Sequence, residues 1–234
     1  MIVEYWSDIT CPFCYIAVTR LKKALRDLEL EEETRIVFKA FELNPGATKV
    51  PKRNIVEGFA RHYGMSLEAA QSRVDSISEM GRAEGLDFNY GMARATSTFD
   101  ALRIAKYAQT ISNDKGNEFA ERAYRAFFSE NLVMADHDVL VSIAKDVGLD
   151  GDRVSEILGG EEFSDAVLDD AREARYLGLS AAPFFLINRR YGIPGAVDTR
   201  DFKRVLMKAF DEEEEVSVTS GQVCGPDGCH PQDE

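Results

Sequence analysis

The chain has 234 residues, 44% of them hydrophobic and 29% charged, and a formal net charge of −13 at pH 7. A chain of this length buries a sizeable core as one domain, or as one domain carrying a large insertion, and its acidic balance argues against a nucleic-acid partner, because a phosphate backbone demands a basic patch. Four cysteines are too few for a disulfide-dense secreted scaffold; they fall into two close pairs, so their spacing carries more information than their number.

Met1 to Ser7 is a short mixed run containing Glu4, and no apolar stretch approaches the ~20 residues of a membrane span, so a cytoplasmic location without membrane attachment is expected. Ile2 to Ser7 is β-branched and aromatic and reads as a strand, interrupted by Asp8-Ile9-Thr10 as a tight loop. A helix follows, with Ala17, Leu21, Ala24, Leu25 and Leu28 on one face. Ile36 to Leu43 reads as a second strand stopped by Asn44-Pro45-Gly46, so strand, helix and strand make a βαβ unit.

From about Thr48 to Gly160 the periodicity is helical alone, with Leu102, Ala105 and Ala108, then Phe119, Ala123, Ala126 and Phe127, then Val139, Leu140, Ile143, Ala144 and Val147 as apolar faces. A further helix, Phe163 to Leu177, ends at Gly178, which suits a left-handed cap. The β-pattern then returns in Pro183 to Asn188 with Ile193 to Val197 as a short partner, and Phe202, Val205, Leu206, Ala209 and Phe210 form a last amphipathic helix. Between Asp211 and Glu234 stand eight acidic residues and no Lys or Arg, a solvated tail that leaves the rest of the chain only mildly acidic.

Cys11-Pro12-Phe13-Cys14 lies where the loop after the first strand enters the first helix. Unpaired N–H groups and the dipole of a helix N-terminus favour a thiolate, the nucleophilic form of cysteine, and Pro12 suits the first helical position because its missing N–H would be unpaired there anyway. The spacing brings Cys14 one turn on, within disulfide distance, so Cys11 is expected to attack and Cys14 to resolve. A Cys-x-x-Cys can also be half of a zinc site, but zinc wants a second pair at the right spacing. No metal site is expected. His230 follows Cys229 and invites a metal reading, but three ligands on a tail are weaker evidence than a framework-held tetrahedral set; His62 and His137 adjoin no motif and read as surface or packing residues.

Glu4-Tyr5-Trp6-Ser7-Asp8, Cys11-Pro12-Phe13-Cys14, Phe41-Glu42-Leu43-Asn44-Pro45, Ala181-Ala182-Pro183-Phe184-Phe185 and Tyr191-Gly192-Ile193-Pro194-Gly195-Ala196 together resemble the DsbA family of thiol–disulfide oxidoreductases, in its cytosolic FrnE-like branch. The resemblance implies an α/β, thioredoxin-like fold with an inserted all-helical subdomain: a thioredoxin-like part in 1–48, a helical insertion in 49–160, the second thioredoxin-like part in 161–210 and the acidic tail in 211–234. It implies that Pro183 is cis beside the sulfurs, leaving the backbone of Ala182 to pair with an extended substrate segment; read alone, the sequence leaves a trans proline opening a strand. It also implies that Glu4 lies buried beneath the cysteine pair as a proton relay, where the residues alone allow an edge carboxylate facing water. An apolar groove around Phe13, Ala182 and Phe184 suits an extended peptide. Secreted DsbA proteins usually carry His where this chain has Phe13, so a less oxidising disulfide is expected here. At Ser97-Thr98-Phe99-Asp100 relatives tend to have Asn before the Thr, which removes support for a substrate contact there.

Protein thiols or disulfides are the expected substrates, with no cofactor beyond the redox-active disulfide and with glutathione or thioredoxin as candidate reductants. Cys224-Gly225-Pro226-Asp227-Gly228-Cys229 lies in a Gly-Pro turn that can close a small disulfide loop and reads either as an auxiliary redox pair exchanging electrons with Cys11 and Cys14 or as an inert pair. As flexible chain, the thirteen residues from Asp211 to Val223 reach about 20 Å, comparable with the ~17 Å radius of gyration of such a domain. The alternative activity is a glutathione-dependent isomerase or transferase of kappa or hydroxychromene carboxylate isomerase type; those enzymes typically place Ser where Cys11 stands.

Overall fold

The run Ile2–Ser7 forms strand β1, which pairs in parallel with β2 (Arg35–Ala40) on one side and antiparallel with β3 (Phe184–Ile187) on the other; β4 (Tyr191–Pro194) adds antiparallel to β3. The sheet order is therefore β2-β1-β3-β4. The computed structural model describes residues 1–219, 224–225 and 228–229, with side chains through residue 212. Strand period two sends Val3, Tyr5 and Ser7 to one face of the sheet, and Glu4 and Trp6 to the other.

Helix α1 (Pro12–Asp27) makes the crossover that parallel neighbours require. It buries Ile16, Ala17, Val18, Leu21, Ala24 and Leu25 in the core shared with Val3, Tyr5 and Phe38. The C-terminal helix α9 (Thr199–Thr219) packs beside α1, with Phe202 edge-on to Phe185 at 4.9 Å. On the opposite face lies α8 (Ser164–Tyr176), whose Ala174 packs with Trp6 and Leu186 and whose Asp170 carbonyl accepts from Trp6 Nε1 at 3.2 Å.

Between β2 and α8 the chain builds six α-helices: α2 (Ile55–Tyr63), α3 (Leu67–Ala83), α4 (Phe99–Ile111), α5 (Asn113–Phe128), α6 (His137–Asp146) and α7 (Gly151–Gly159), with a 3₁₀ turn at Tyr90–Met92. Short polar residues start most of them: Asn54, Ser66, Ser112, Asp136 and Asp150 each accept a hydrogen bond from the first turn. This block also closes the edge of the sheet. Gln109 and Asn117 donate to the outward carbonyls of Phe38 and Ile36, both at 3.0 Å, and the Asp170 carboxylate accepts from Ala40 N at 2.9 Å. The unpaired groups of an edge strand are thereby consumed inside the molecule. No helix among the described residues is long and apolar enough to cross a membrane.

Three segments differ from the sequence expectation. Strand β2 stops at Ala40 instead of continuing to Leu43, because β1 turns away after Ser7 and the Leu43 N–H is taken by the Asp8 carboxylate at 2.7 Å. Strand β4 spans Tyr191–Pro194, not 193–197: Pro194 has no N–H to extend the ladder, and Gly195 turns away at φ 76° with its N–H on Pro183 O at 2.8 Å. Helix α9 continues to Thr219, so most of the stretch expected to be a flexible tether from Asp211 to Val223 is helical, at a rise of ~1.5 Å per residue. Beyond it, Cys224–Gly225 pairs with Gly228–Cys229 as a two-residue antiparallel ladder; the side chains of Cys224 and Cys229 lie outside the described residues, as does His230.

Asp170 joins the layers, since its side chain also meets Lys106 at 2.8 Å and Lys39 at 3.3 Å while only 6% exposed. Replacing one member of a buried pair leaves the others desolvated and unpaired. Asp170→Ala is expected to lower unfolding free energy by ~3 kcal/mol or more in urea melts.

Candidate active site

Cys11 is the N-cap of α1, in an extended conformation and with no side-chain capping bond, and Pro12 occupies the first helical position. The loop before it is held by Asp8. The Asp8 carbonyl accepts from Cys11 N at 3.1 Å, and its carboxylate accepts from Thr10 N at 3.1 Å, Thr10 Oγ1 at 3.2 Å and Leu43 N at 2.7 Å. Burial raises the Asp8 carboxyl above its ordinary range, and the hydrogen bonds from Leu43, Thr10 and Thr98 pull it partly back. Asp8 thus braces the cysteine loop from within and ties it to the segment after β2 through Leu43.

Both cysteines are free thiols, and their surroundings differ. Cys11 retains 2% exposure and its Sγ–H points to the carbonyl of Ala182 at 3.7 Å; Cys14 is wholly enclosed. The Ala182–Pro183 bond is cis and Pro183 is buried. Burial pushes the Cys14 thiol well above its usual value, contact with Cys11 adds to this, and hydrogen bonds from the Ser7 hydroxyl and the Asp8 N–H act in the opposite direction. Phe13, in the first helical turn, is 38% exposed.

The inserted helices furnish the wall over Cys14. Tyr15 stacks on Tyr124 at 5.1 Å, on Phe88 at 5.8 Å and on Phe128 at 5.9 Å. Buried Tyr124 hydrogen-bonds through its hydroxyl to Ser7 Oγ, and buried Tyr90 is raised well above the phenol range by burial first, then by Cys11 and Tyr63. Among the described residues no group of three or more His, Cys, Asp or Glu is placed to hold a metal ion.

Two residues expected at the site are elsewhere. Glu4 is buried as expected, but strand alternation puts it on the sheet face opposite Tyr5 and Ser7, where it pairs with Arg189 and lies 3.6 Å from Lys39; it meets neither cysteine. Phe184 likewise turns to that far face and packs with Trp6, ring centroids 6.3 Å apart. The structure therefore brings Cys11, Cys14, Ala182 and Pro183 together, with Phe13 at the rim, and leaves Glu4 and Phe184 outside.

A thioredoxin-like sheet with a cysteine-capped helix facing a cis-proline strand is a family arrangement, and the family model described as DSBA-like thioredoxin domain matches residues 2–207. The chain belongs to the DsbA-like thioredoxin family. It is similar to the crystal structure of probable DsbA oxidoreductase SCO1869 from Streptomyces coelicolor, with 34% identity, a TM-score of 0.86 and 100% of both chains covered. It is similar to the uncharacterized protein YwbO of Bacillus subtilis (strain 168), 26% identical over 217 residues, 91% of this chain and 96% of that one. At 19% identity and a TM-score of 0.59, cytosolic disulfide reductase DsbM from Pseudomonas aeruginosa shares the fold, over 94% of this chain and 100% of that one.

Within this family frame, Ser7, Asp8, Tyr90 and Tyr124 are site residues that sequence reasoning missed. The signal available for Ser7 was its parity with Tyr5 on β1; Tyr90 and Tyr124 carried none, because only tertiary packing delivers the insertion to the cysteines. Thr98, in the Ser97-Thr98-Phe99-Asp100 segment, is buried and is among the groups that hold the Asp8 carboxyl down. Asp100 next to it is paired with Lys49 and Arg103, both at 2.8 Å, and with His137 at 3.1 Å, so this segment is a structural clasp.

In reduced protein with Cys224 and Cys229 replaced by Ser, iodoacetamide at pH 8 is expected to label Cys11 and to spare Cys14 until denaturant is added, as read by peptide mass mapping. A carboxyl raised in the folded state costs stability wherever it is ionised, so that cost grows as pH rises from the ordinary carboxyl range through the raised value. Between pH 4 and pH 7, urea unfolding is expected to show wild type losing stability relative to Asp8→Asn, which does not titrate.

Proposed function

We propose that the protein is a thiol–disulfide oxidoreductase or isomerase acting on protein thiols and disulfides, with Cys11 as attacking and Cys14 as resolving sulfur. The observation that carries this reading is a pair of free thiols at a strand-to-helix junction, Cys11 capping the helix with its Sγ on the carbonyl before the cis-proline and Cys14 wholly enclosed one turn on. In the reductive direction the Cys11 thiolate attacks a substrate disulfide, and a Cys11–substrate disulfide forms as the other substrate sulfur leaves. Cys14 then attacks Cys11 Sγ, closing the Cys11–Cys14 bond; the substrate sulfur departs with the electron pair and accepts the proton that Cys14 gives up. The substrate disulfide is reduced by two electrons and the enzyme dithiol oxidised by two. Phe13 at the rim and the backbone of Ala182 are the contacts proposed for an extended peptide.

The proposed setting is cytoplasmic, with glutathione as reductant, and a cavity of about 450 Å³ has the chemistry to hold it. It is lined by Lys52, Arg53 and His62 over the rings of Phe59 and Tyr63, and holds no Asp or Glu. Its lining residue Asn44 follows Leu43, whose N–H binds Asp8 of the cysteine loop, and its Phe59 ring lies 6.4 Å from Tyr90. Cationic side chains there suit a small thiol with carboxylates. A second active thiol in the protein favours a disulfide cycle over the isomerase or transferase alternative, in which glutathione itself carries the thiolate. Cys224 and Cys229 are proposed as an auxiliary pair that restores the Cys11–Cys14 centre between turnovers.

Insulin-disulfide reduction and reactivation of scrambled ribonuclease test the reading. Cys11→Ser is expected to lose both activities by at least ~10³-fold. With Cys224 and Cys229 changed to Ser, multiple turnover is expected to slow while a single turnover keeps its rate. An inactive wild type that turns over a glutathione-dependent small molecule would transfer the assignment to the isomerase or transferase class.

A further inference from the structure

A buried sulfur that must become an anion needs something to stabilise the charge, and a carboxylate beneath the pair is the residue the sequence suggested for handling its proton. Glu4 is on the wrong face of the sheet, in ion pairs with Arg189 and Lys39. Around Cys14 stand instead Ser7, Tyr5 and Tyr124, all fully buried, together with Cys11 and the Asp8 N–H. The Asp8 carboxylate is occupied by Thr10 and Leu43, and the Tyr5 hydroxyl by Asn117 Oδ1 at 3.1 Å. Ser7, wholly buried at the end of β1 and hydrogen-bonded to the Tyr124 hydroxyl, is left as the side chain able to join the enclosed Cys14 to Tyr124.

We infer that Ser7 and Tyr124 form a buried hydroxyl chain that stabilises the thiolate of the resolving cysteine, Tyr124 donating to Ser7 and Ser7 donating to Cys14 Sγ. The inference rests on the proposed disulfide cycle. In the chain each donor is polarised by the next, so the bond to the sulfur is stronger than that of an isolated serine, and no second charge has to be buried. As donor to the reacting sulfur, Ser7 is the catalytic residue of this chain; Tyr124 acts through it and is a positioning residue. The hydroxyls keep their protons. The one lost by Cys14 ends on the departing substrate sulfur, so Cys14–SH plus the Cys11–substrate disulfide gives the Cys11–Cys14 disulfide plus a substrate thiol.

The fold itself supplies this chain. Ser7 is the last residue of β1 and shares the Tyr5 face, while Tyr124 comes from α5 of the insertion and is held by its stack on Tyr15. Phenylalanine at 124 keeps the ring and removes only the hydroxyl.

Reaction with 5,5′-dithiobis(2-nitrobenzoate), in full-length protein with Cys224 and Cys229 changed to Ser, separates the two steps. Cys11 attack releases one nitrothiobenzoate, and resolution by Cys14 releases the second. Ser7→Ala is expected to slow the second release ~10-fold, the loss of one hydrogen bond to a charged group, and to leave the first at its wild-type rate. Tyr124→Phe is expected to slow the second release several-fold. The double variant should be no slower than Ser7→Ala, because Tyr124 acts only through Ser7. A wild-type second release in either single variant, equal slowing of both releases, or multiplying effects in the double variant would overturn the chain. A wild type that releases only one nitrothiobenzoate would instead overturn the disulfide cycle, with the hydroxyl variants uninvolved.

Discussion

Strand β1 is hydrogen-bonded on both sides and covered on both faces, so every side chain from Val3 to Ser7 must find its partner in a dry layer. The apolar ones pack; the polar ones must be paired, because burying an unpaired polar group costs about 1–3 kcal/mol and a lone charge far more. Tyr5 finds Asn117, Ser7 finds Tyr124, Trp6 finds the Asp170 carbonyl, and Glu4 finds Arg189. Those four partners come from α5, α8 and the turn after β3, so the central strand dictates where the insertion and the second thioredoxin-like half must sit. The cysteine loop begins on the next residue.

The partition between the two faces also separates two chemistries. On the face of Tyr5 and Ser7 the environment around Cys14 is neutral and aromatic, and burial there disfavours any anion. On the opposite face Glu4, Asp170 and Glu173 meet Lys39, Lys106 and Arg189 in one ion-pair network. Lys39 is held charged by it: burial alone would lower its ammonium, and Glu173, Asp170 and Glu4 raise it beyond the ordinary value. Putting these charges beneath the sulfurs would couple the cysteine pair to the ionisation of the whole network. Placing the sheet between them leaves Cys14 to be governed by hydroxyl and amide donors.

The helical insertion has more than one task. Through Gln109 and Asn117 it closes the edge strand; through Tyr90, Tyr124, Phe88 and Phe128 it walls the cysteine pair; and through α2 and the preceding loop it presents a cationic cavity on an otherwise acidic protein. An edge strand left bare is a site of unwanted pairing, so α5 meets two needs at once, closing the edge through Asn117 and enclosing the cysteines through Tyr124 and Phe128, while α4 adds Gln109 at the edge.

Much of the fold was legible in order and type. Strand Ile2–Ser7, the cysteine-capped helix, the helix-only stretch and the returning β-pattern follow from period-two and period-3.6 apolar spacing, and the position of Cys11 follows from Pro12 and the strand-to-helix junction. Strand ends were less legible, since β2 stops where β1 turns away and the Asp8 carboxylate captures Leu43, a contact that no local pattern encodes. Asp170 reads as an outward helix residue, yet it is buried because two lysines and the Ala40 N–H converge on it from elsewhere. By itself the sequence determined which sulfurs are paired on one helical turn and that the pair opens a helix, because both are local properties of a few adjacent residues. Only the tertiary structure decided that Glu4 and Phe184 face away from those sulfurs and that Ser7 and Tyr124 face them: which side of a central strand becomes the cysteine side is set by how distant helices cover it.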